Sequence, residues 1–372
     1  MEMTPAIGLF QGNWFSRGEG ALALADSEAD LINAALGKAA KRWDGVSDAA
    51  RLEAIVAAHP AVCDRIGVRL LKVAVGMRGC GGAVKFLLDR GVPLDADPTQ
   101  YTVLHEAAWA GATDTLRAVF ESGASDATPV SIKKPHTGWP DNVSLMYWAA
   151  WGGYPELAKV LIEYGAGVHH QLKIKGNGER GTTSLHEAVA PGPWGDDNPI
   201  RSDAGKREVA RILIDDGAEY DIYTACALDD AARVTTLVDG HPARANLADD
   251  YGMRPLHWAA RAGSSACLRL LLGNGAEVNA ANKAHRTALQ LAAEYDRAEV
   301  IGILAANGAQ LDTQDRKGRT PLHRATYEGK VAAAQALLAA GADPMVLNKR
   351  GKNAFEIARK DAKYLKARGQ LC

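Results

Sequence analysis

The sequence predicts an all-α solenoid, in which pairs of helices stack one on the next. The first observation is a repeated segment, seen in "MRPLHWAARAG", "HRTALQLAAEY" and "GRTPLHRATYEG". The second is its period, because the aligned position holds His257, Gln290, His323 and Glu356, each 33 residues after the last. The third is a composition of 47% hydrophobic and 23% charged residues, which is enough apolar material for a core. A single helix pair cannot bury its own apolar face, so neighbouring pairs must stack.

The same segment recurs nearer the N-terminus, in "YTVLHEAAWAG", "SLMYWAAWGG" and "TSLHEAVAPG". Its aligned position, which we call the slot, is occupied there by Lys72, His105, Tyr147, His186 and Thr224. In these residues the chain resembles the ankyrin-repeat family, whose unit is a β-turn and two helices with a T-P-L-H-x-A signature. The resemblance covers residues 67–360. It implies helix-turn-helix repeats joined by β-hairpin loops, which we call fingers.

Two shorter segments flank the predicted array. Residues 1–66 contain two helical patterns, "SEADLINAALGKAAKRW" and "DAARLEAIVAAHP", and we expect an N-terminal segment with a helical cap. Residues 361–372, "DAKYLKARGQLC", are expected to close the other end with a charged face. Terminal repeats of a solenoid need such polar caps because they lack one stacking neighbour.

Insertions interrupt the period only in the middle of the array. Surplus residues at 124–143 and 166–182 lengthen two fingers, and those at 190–205 separate the two helices of one repeat. Insertions in solenoids map to loops on one face, which is often the binding face. These loops also carry residue types suited to recognition, namely His136, Trp139, His169, His170, Arg180, Trp194, Asp196, Asp197 and Arg201.

A strip of aromatic and charged residues is predicted on the concave side of the first helices. Positions one and four residues after the slot share a helix face, because residues three apart on a helix point the same way. With the neighbouring Tyr147, we expect this concave strip to hold Glu106, Trp109, Trp148, Trp151, Trp258 and Arg261, roofed by Trp194 and Arg201 of the insertions. Exposed indoles need a ligand, a partner or the protein's own loops to cover them. The long fingers or the N-terminal "GLFQGNWFSRGEG" are alternative covers.

Candidate catalytic groups cluster at the repeat whose helices are separated by the third insertion. Glu187 leaves the same helix as this insertion, so its carboxyl could act as a general acid or base with Asp196, Asp197 or His186. Glu106 is two repeats from Glu187, or roughly 20 Å at 8–10 Å per packed helix, which is too far for a carboxylate pair. No G-x-S-x-G motif is present in the sequence.

Composition argues against several classes of partner and cofactor. The net charge of -1 offers no overall basic excess for binding nucleic acid. No stretch approaches 18 uninterrupted apolar residues, and the N-terminal residues lack a signal-peptide pattern, so we expect no membrane span and a cytoplasmic location. The five cysteines include no CxxC pair, and we expect neither a zinc site nor a cofactor. The slot histidines are expected to brace neighbouring fingers. The abundance of alanine, glycine and arginine suggests a bacterial source.

Three functions are compatible with these patterns. The family resemblance implies a recognition module that binds a partner protein through its concave face and the insertions of the middle repeats. An alternative is a small-molecule or sugar-binding protein, with indoles stacked on the ligand under the inserted loops. A third is an enzyme that uses the same pocket for acid/base hydrolysis or elimination. The fold alone does not choose between them.

Overall fold

A computed structural model describes the larger part of the chain. The described residues are 67–68, 71, 74–75, 78–94, 103–125, 130–131, 143–169, 171–172, 182–190 and 203–358. The chain divides into two compact units, unit 1 from Met1 to His170 and unit 2 from Gln171 to Cys372. The predicted caps at 1–66 and 361–372 lie outside the described residues, as does the greater part of each predicted insertion.

Unit 1 is built from helices that pack in consecutive pairs. They are α1 (Gly81–Leu88), α2 (Val103–Ala110), α3 (Thr113–Glu121), α4 (Leu145–Gly152) and α5 (Pro155–Glu163). Two short strands, β1 (Val130–Ser131) and β2 (Val143–Ser144), pair antiparallel with Val130 opposite Ser144. Leu104, Leu116 and Leu157 are fully buried between the helices. The core therefore consists of the apolar faces that one helix pair presents to the next.

Unit 2 continues with the same alternation of first and second helices. Strands β3 (Gln171–Leu172) and β4 (Thr182–Thr183) pair antiparallel. The helices are α6 (Ser184–Val189), α7 (Asp203–Asp215), α8 (Ile222–Ala227), α9 (Ala231–Val238), α10 (Pro255–Ala262), α11 (Ser265–Gly273), α12 (Ala288–Glu294), α13 (Ala298–Ala306), α14 (Pro321–Tyr327) and α15 (Val331–Ala340). A short 3-10 helix, Pro242–Asn246, precedes α10. Within each unit, the predicted all-α stack of helix pairs is confirmed.

The first helices α4, α6, α8, α12 and α14 each begin at a Ser, Thr or Asp whose side chain caps the helix. Thr320 precedes α14 and its hydroxyl accepts the backbone N–H of His323, while the His323 side chain returns to the Thr320 backbone N–H. The same reciprocal cap is formed by Thr287 with Gln290. Such a capping box satisfies two N–H groups that the helix itself leaves unpaired. Pro321 adds a preset φ at the first helical position, where its missing N–H costs nothing.

The slot side chains also brace neighbouring fingers, as expected. Nε2 of His105, His257 and His323 lies 3.0, 3.1 and 2.9 Å from a carbonyl oxygen of the following finger. Gln290 does the same, because its Nε2 donates to the carbonyls of Thr313 and Arg319 at 2.9 Å. Burial lowers the pKa of both His105 and His257 to about 4, so these imidazoles are neutral at pH 7. The slot histidines are thus structural hydrogen-bond donors.

The described helices are short. None of those in the part of the chain that the structure describes is long and apolar enough to cross a bilayer.

Candidate functional site

Three aromatic residues of α4 form a cluster at the predicted strip of unit 1. The ring centroids of Tyr147 and Trp148 are 5.2 Å apart, and those of Trp148 and Trp151 are 5.8 Å apart at 90°. Only 3% of Trp148 is exposed, so the expectation of an exposed indole at this position is wrong. The rings of Tyr147 and Trp151 each meet it edge-on, the arrangement that aromatic pairs prefer. Trp151 remains partly exposed and forms the accessible edge of the cluster.

The helix before this cluster carries the other two predicted residues of unit 1. Glu106 and Trp109 lie on α2, which packs against α4, and both are partly exposed. The hydroxyl of Tyr154 donates to the Trp109 carbonyl at 3.2 Å, and Arg78 lies over the Tyr154 ring at 5.1 Å. Unit 1 therefore brings Glu106, Trp109 and Trp151 onto one accessible stretch of adjacent first helices.

Trp258 on α10 is held by a finger residue that the sequence analysis did not single out. Its indole N–H donates to Asp249 Oδ2 at 3.0 Å, and its ring lies near those of His186 and Tyr223. Only 7% of Trp258 is exposed, so the prediction of an exposed indole is wrong here too. Burial raises the pKa of Asp249, and hydrogen bonds from Met253 and Trp258 offset part of this rise. The finger that carries Asp249 therefore contacts the Trp258 indole directly.

His186, a predicted catalytic residue, has both ring nitrogens engaged. Nδ1 lies 2.7 Å from Thr183 Oγ1, and Nε2 lies 3.0 Å from Asp221 Oδ2. Burial raises the pKa of Asp221, but hydrogen bonds from His186 and Thr224 outweigh it, so the net pKa is lowered. Asp221 also caps α8 by accepting the Thr224 backbone N–H at 2.8 Å. The arrangement joins two repeats through a carboxylate, where the other slot histidines use a backbone carbonyl.

Glu187, the second predicted catalytic residue, faces a buried ammonium group. Lys206 Nζ lies 3.6 Å from Glu187 Oε1, with 4% of the lysine side chain and 20% of the glutamate side chain exposed. The pair links α6 to α7, the two helices between which the third insertion lies. The other residues predicted around Glu187 lie outside the described residues; they are Trp194, Asp196, Asp197 and Arg201.

A row of residues on α10, α12 and α14 connects successive first helices of unit 2. The Arg261 guanidinium lies 5.9 Å from the Trp258 ring and 5.2 Å from the Tyr295 ring of the next repeat. Arg324, one repeat further, lies 3.5 Å from Glu294 Oε2. Because these contacts run from repeat to repeat, the residues share one face. We call Trp258, Arg261, Glu294, Tyr295, Arg324 and Tyr327 the unit 2 strip.

This strip combines fixed and accessible groups. Arg324 is buried and donates to Asp315 at 3.0 Å, while Glu294 also accepts from Arg286 at 2.7 Å. The Nε atom of Arg261 is buried and has no hydrogen-bond partner. Tyr327 is 56% exposed at the end of the row. Trp258 and Arg261 were predicted site residues, whereas Glu294, Tyr295, Arg324 and Tyr327 were not.

A cavity elsewhere in unit 2 contains none of the predicted site residues. The cavity has a volume of about 260 Å³ and is lined by Arg207, Arg211, Ile214, Asp215, Tyr220, Leu228 and Asp230. The described residues also contain no group of three or more His, Cys, Asp or Glu side chains placed to hold a metal ion.

Comparison with known proteins identifies the repeats. A family profile described as ankyrin repeats (3 copies) matches residues 200–282 and 275–348. The chain carries ankyrin repeats. The slot histidines, capping boxes and fingers of unit 2 are therefore the ankyrin signature in three dimensions. Repeats of this kind present extended surfaces for binding other proteins, which supports the general prediction of a protein-interaction module.

Curated relatives share a short stretch with this chain. Scaffold protein ILK from Cavia porcellus, Mus musculus and Homo sapiens is 40% identical to it over 55 residues. The stretch amounts to 15% of this chain and spans only 12% of the length of each relative. The similarity concerns a segment shorter than two 33-residue repeats.

Proposed function

We propose that this ankyrin array is a recognition module that binds a partner protein through its concave strip and the insertions of its middle repeats. The observation that carries the proposal is the unit 2 strip, where Arg261 is held between two aromatic rings and Tyr327 is exposed. Tyrosine, tryptophan and arginine are the residue types that dominate protein-protein binding energies. An arginine already ordered by its neighbours loses little entropy on binding.

Unit 1 offers a second contact area of the same kind. Glu106, Trp109 and Trp151 are each partly exposed on adjacent first helices, beside the buried ring of Trp148. Trp194 and Arg201 of the third insertion are proposed to add contacts from the loops. The buried cysteines Cys226 and Cys267 form no disulfide within the part of the chain that the structure describes, which supports a partner met in the cytoplasm.

The small-molecule, sugar and enzyme hypotheses have less support. They rest on indoles available to stack on a ligand, but protein side chains already enclose Trp148 and Trp258. His186 and Glu187 are engaged by Asp221 and Lys206. A protein partner requires only an accessible strip with ordered side chains.

Site-specific photocrosslinking tests the proposal. A benzophenone amino acid at Tyr327 should capture a defined protein in cells of the source, whereas the same group at Leu338, exposed on α15, should not. With the purified partner, Tyr327→Ala and Arg261→Ala should each weaken binding about thirtyfold, which corresponds to the loss of about 2 kcal/mol that marks an interface hot spot. Leu338→Ala should leave the affinity unchanged. Equal capture from both positions, or unchanged affinity in both strip variants, would overturn the proposal.

A further inference from the structure

The finger tips of unit 2 carry a local concentration of positive charge. Three turns, at 282–286, 315–319 and 348–352, follow one another at intervals of 33 residues. Together they contain eight cationic side chains, which are Lys283, Arg286, Arg316, Lys317, Arg319, Lys349, Arg350 and Lys352. Asp315 is the sole carboxylate in the three turns. We call these eight residues the finger-tip ladder.

The three turns have the same backbone conformation. In each, the side-chain oxygen of the first residue, Asn282, Asp315 or Asn348, accepts two backbone N–H groups from the residues two and four positions further on. The fourth residue of each turn has a positive φ, between 58° and 71°. Since the turns superimpose residue by residue, the cations recur at equivalent places in successive repeats.

Adjacent finger tips are also joined directly. The Lys349 backbone N–H donates to the Lys317 carbonyl at 3.2 Å, and the Lys283 backbone N–H donates to the Tyr251 carbonyl at 3.0 Å. The second and third turns of the ladder are therefore fixed against each other, and the first is fixed to the finger that precedes it.

Most of the ladder is uncompensated. Arg286 pairs with Glu294, and Arg319 pairs with Asp315. Of the remaining six, Lys283 donates to the Asp250 carbonyl at 2.7 Å. The other five, Arg316, Lys317, Lys349, Arg350 and Lys352, are exposed, and their side chains form no ion pair or hydrogen bond with the part of the chain that the structure describes. Like charges held this close repel one another, and an anionic partner relieves that cost.

We propose that the finger-tip ladder docks an extended acidic segment of the partner protein, with Asp or Glu at about every third residue. Packed helices are about 8–10 Å apart, so successive ladder positions are separated by roughly this distance. An extended chain advances about 3.3 Å per residue, so about three residues bring the next acidic side chain into place. The inference rests on the proposed function, since it specifies the chemistry of one part of the same partner.

A protein segment fits this surface better than a nucleic acid. Duplex DNA presents about one charge per 1.7 Å of axis, or roughly six for each step of the ladder, against two or three cations. The chain as a whole has a net charge of -1, and the preceding finger opens with the carboxylates Asp249 and Asp250. A longer polyanion would meet that repulsion at one end of the ladder.

The test uses a fluorescein-labelled synthetic peptide with glutamate at every third position, titrated with the full chain and followed by fluorescence anisotropy. A second peptide has the same composition with its glutamates contiguous. The periodic peptide should bind several-fold more tightly, and its affinity should fall as salt rises because exposed charges are screened. Lys317→Glu combined with Arg350→Glu should weaken binding about tenfold or more.

The matched control reverses two exposed arginines on helices of the same unit, Arg211→Glu with Arg269→Glu. It should bind the periodic peptide within about twofold of the wild type, because surface charges away from the contact contribute little. Lys317→Gln with Arg350→Gln should give an intermediate loss and shows whether charge, and not folding, is responsible. Circular dichroism confirms that each variant is folded.

Several results would overturn the inference. These are equal binding of the two peptides, no loss in the Lys317 and Arg350 double variants, or tighter and competitive binding of a single-stranded oligonucleotide of equal charge. In each case photocrosslinking from Tyr327 remains an independent measurement. If a protein is captured from Tyr327 but the peptide does not bind the ladder, the inference of an acidic segment is refuted and the proposed protein-interaction module is retained.

Discussion

The ion pair between Glu187 and Lys206 allows a structural role of Glu187 to be tested against a catalytic one. Glu187→Gln removes the carboxylate that lies 3.6 Å from the ammonium group of Lys206, only 4% of whose side chain is exposed. Two unit charges about 4 Å apart attract by about 4 kcal/mol at an effective dielectric of about 20. Because 20% of the Glu187 side chain is exposed, solvent screens part of this attraction, and we expect a loss of about 2 kcal/mol in the free energy of unfolding.

Urea denaturation followed by circular dichroism measures this loss. Lys206→Met and the double variant complete a double-mutant cycle, in which the other contacts of Lys206 cancel. We expect a coupling energy of about 1–3 kcal/mol, with the double variant more stable than Glu187→Gln alone because the buried ammonium charge is removed together with the carboxylate. A coupling energy near zero would refute the structural role, and Glu187 would then be available for the acid/base chemistry that the sequence allows.

Three further changes probe the slot and the two buried indoles. Burial lowers the pKa of His257 from 6.5 to about 4, so as pH falls this imidazole is protonated in the unfolded chain before it is protonated in the folded one. The free energy of unfolding should therefore fall by up to about 3 kcal/mol between pH 7 and 4. His257→Gln, which places the residue type of the Gln290 slot here, should make the free energy of unfolding less dependent on pH between 7 and 4. An unchanged dependence on pH would contradict the lowered pKa of His257. Trp148→Ala should cost about 3–5 kcal/mol in urea denaturation, as loss of a buried ring does. Trp258→Phe should lower the free energy of unfolding by about 1–3 kcal/mol, because Asp249 then lacks its indole donor. The same substitution is also made in an Asp249→Asn background. If the loss is no larger in the wild type than in that background, the hydrogen bond contributes nothing.

The fold could be predicted because its cause is repeated in the sequence. The slot residue both caps its helix and bonds the next finger, so a residue with this double task recurs every 33 positions at His257, Gln290 and His323. A repeat whose sequence is ambiguous can therefore be assigned by aligning it with the others. The third insertion, at 190–205, was likewise visible as a break in the slot spacing.

The candidate site was less predictable because burial depends on neighbours that the period does not specify. Slot spacing placed Trp148 and Trp258 on the expected first helices, but it could not show that Tyr147, Trp151 and Asp249 would cover them. The partners of His186 and Glu187 lie on other helices or at their caps. Their contacts follow from how two repeats pack, and the sequence of one repeat does not contain that information.

The finger-tip ladder was missed for a different reason. The net charge of -1 is a sum over the whole chain, and it hides the fact that eight cations are concentrated in three finger turns while acidic residues lie elsewhere. Once repeats are aligned, Lys283, Arg316 and Lys349 fall in one register, and the positive edge is evident. In a solenoid the relevant charge is therefore the charge at one position summed over successive repeats, because that is the surface a partner meets. The same alignment places Arg261 and Tyr327 on the helix face, so a single acidic segment that continues past the finger tips would bring the rest of its protein against the unit 2 strip.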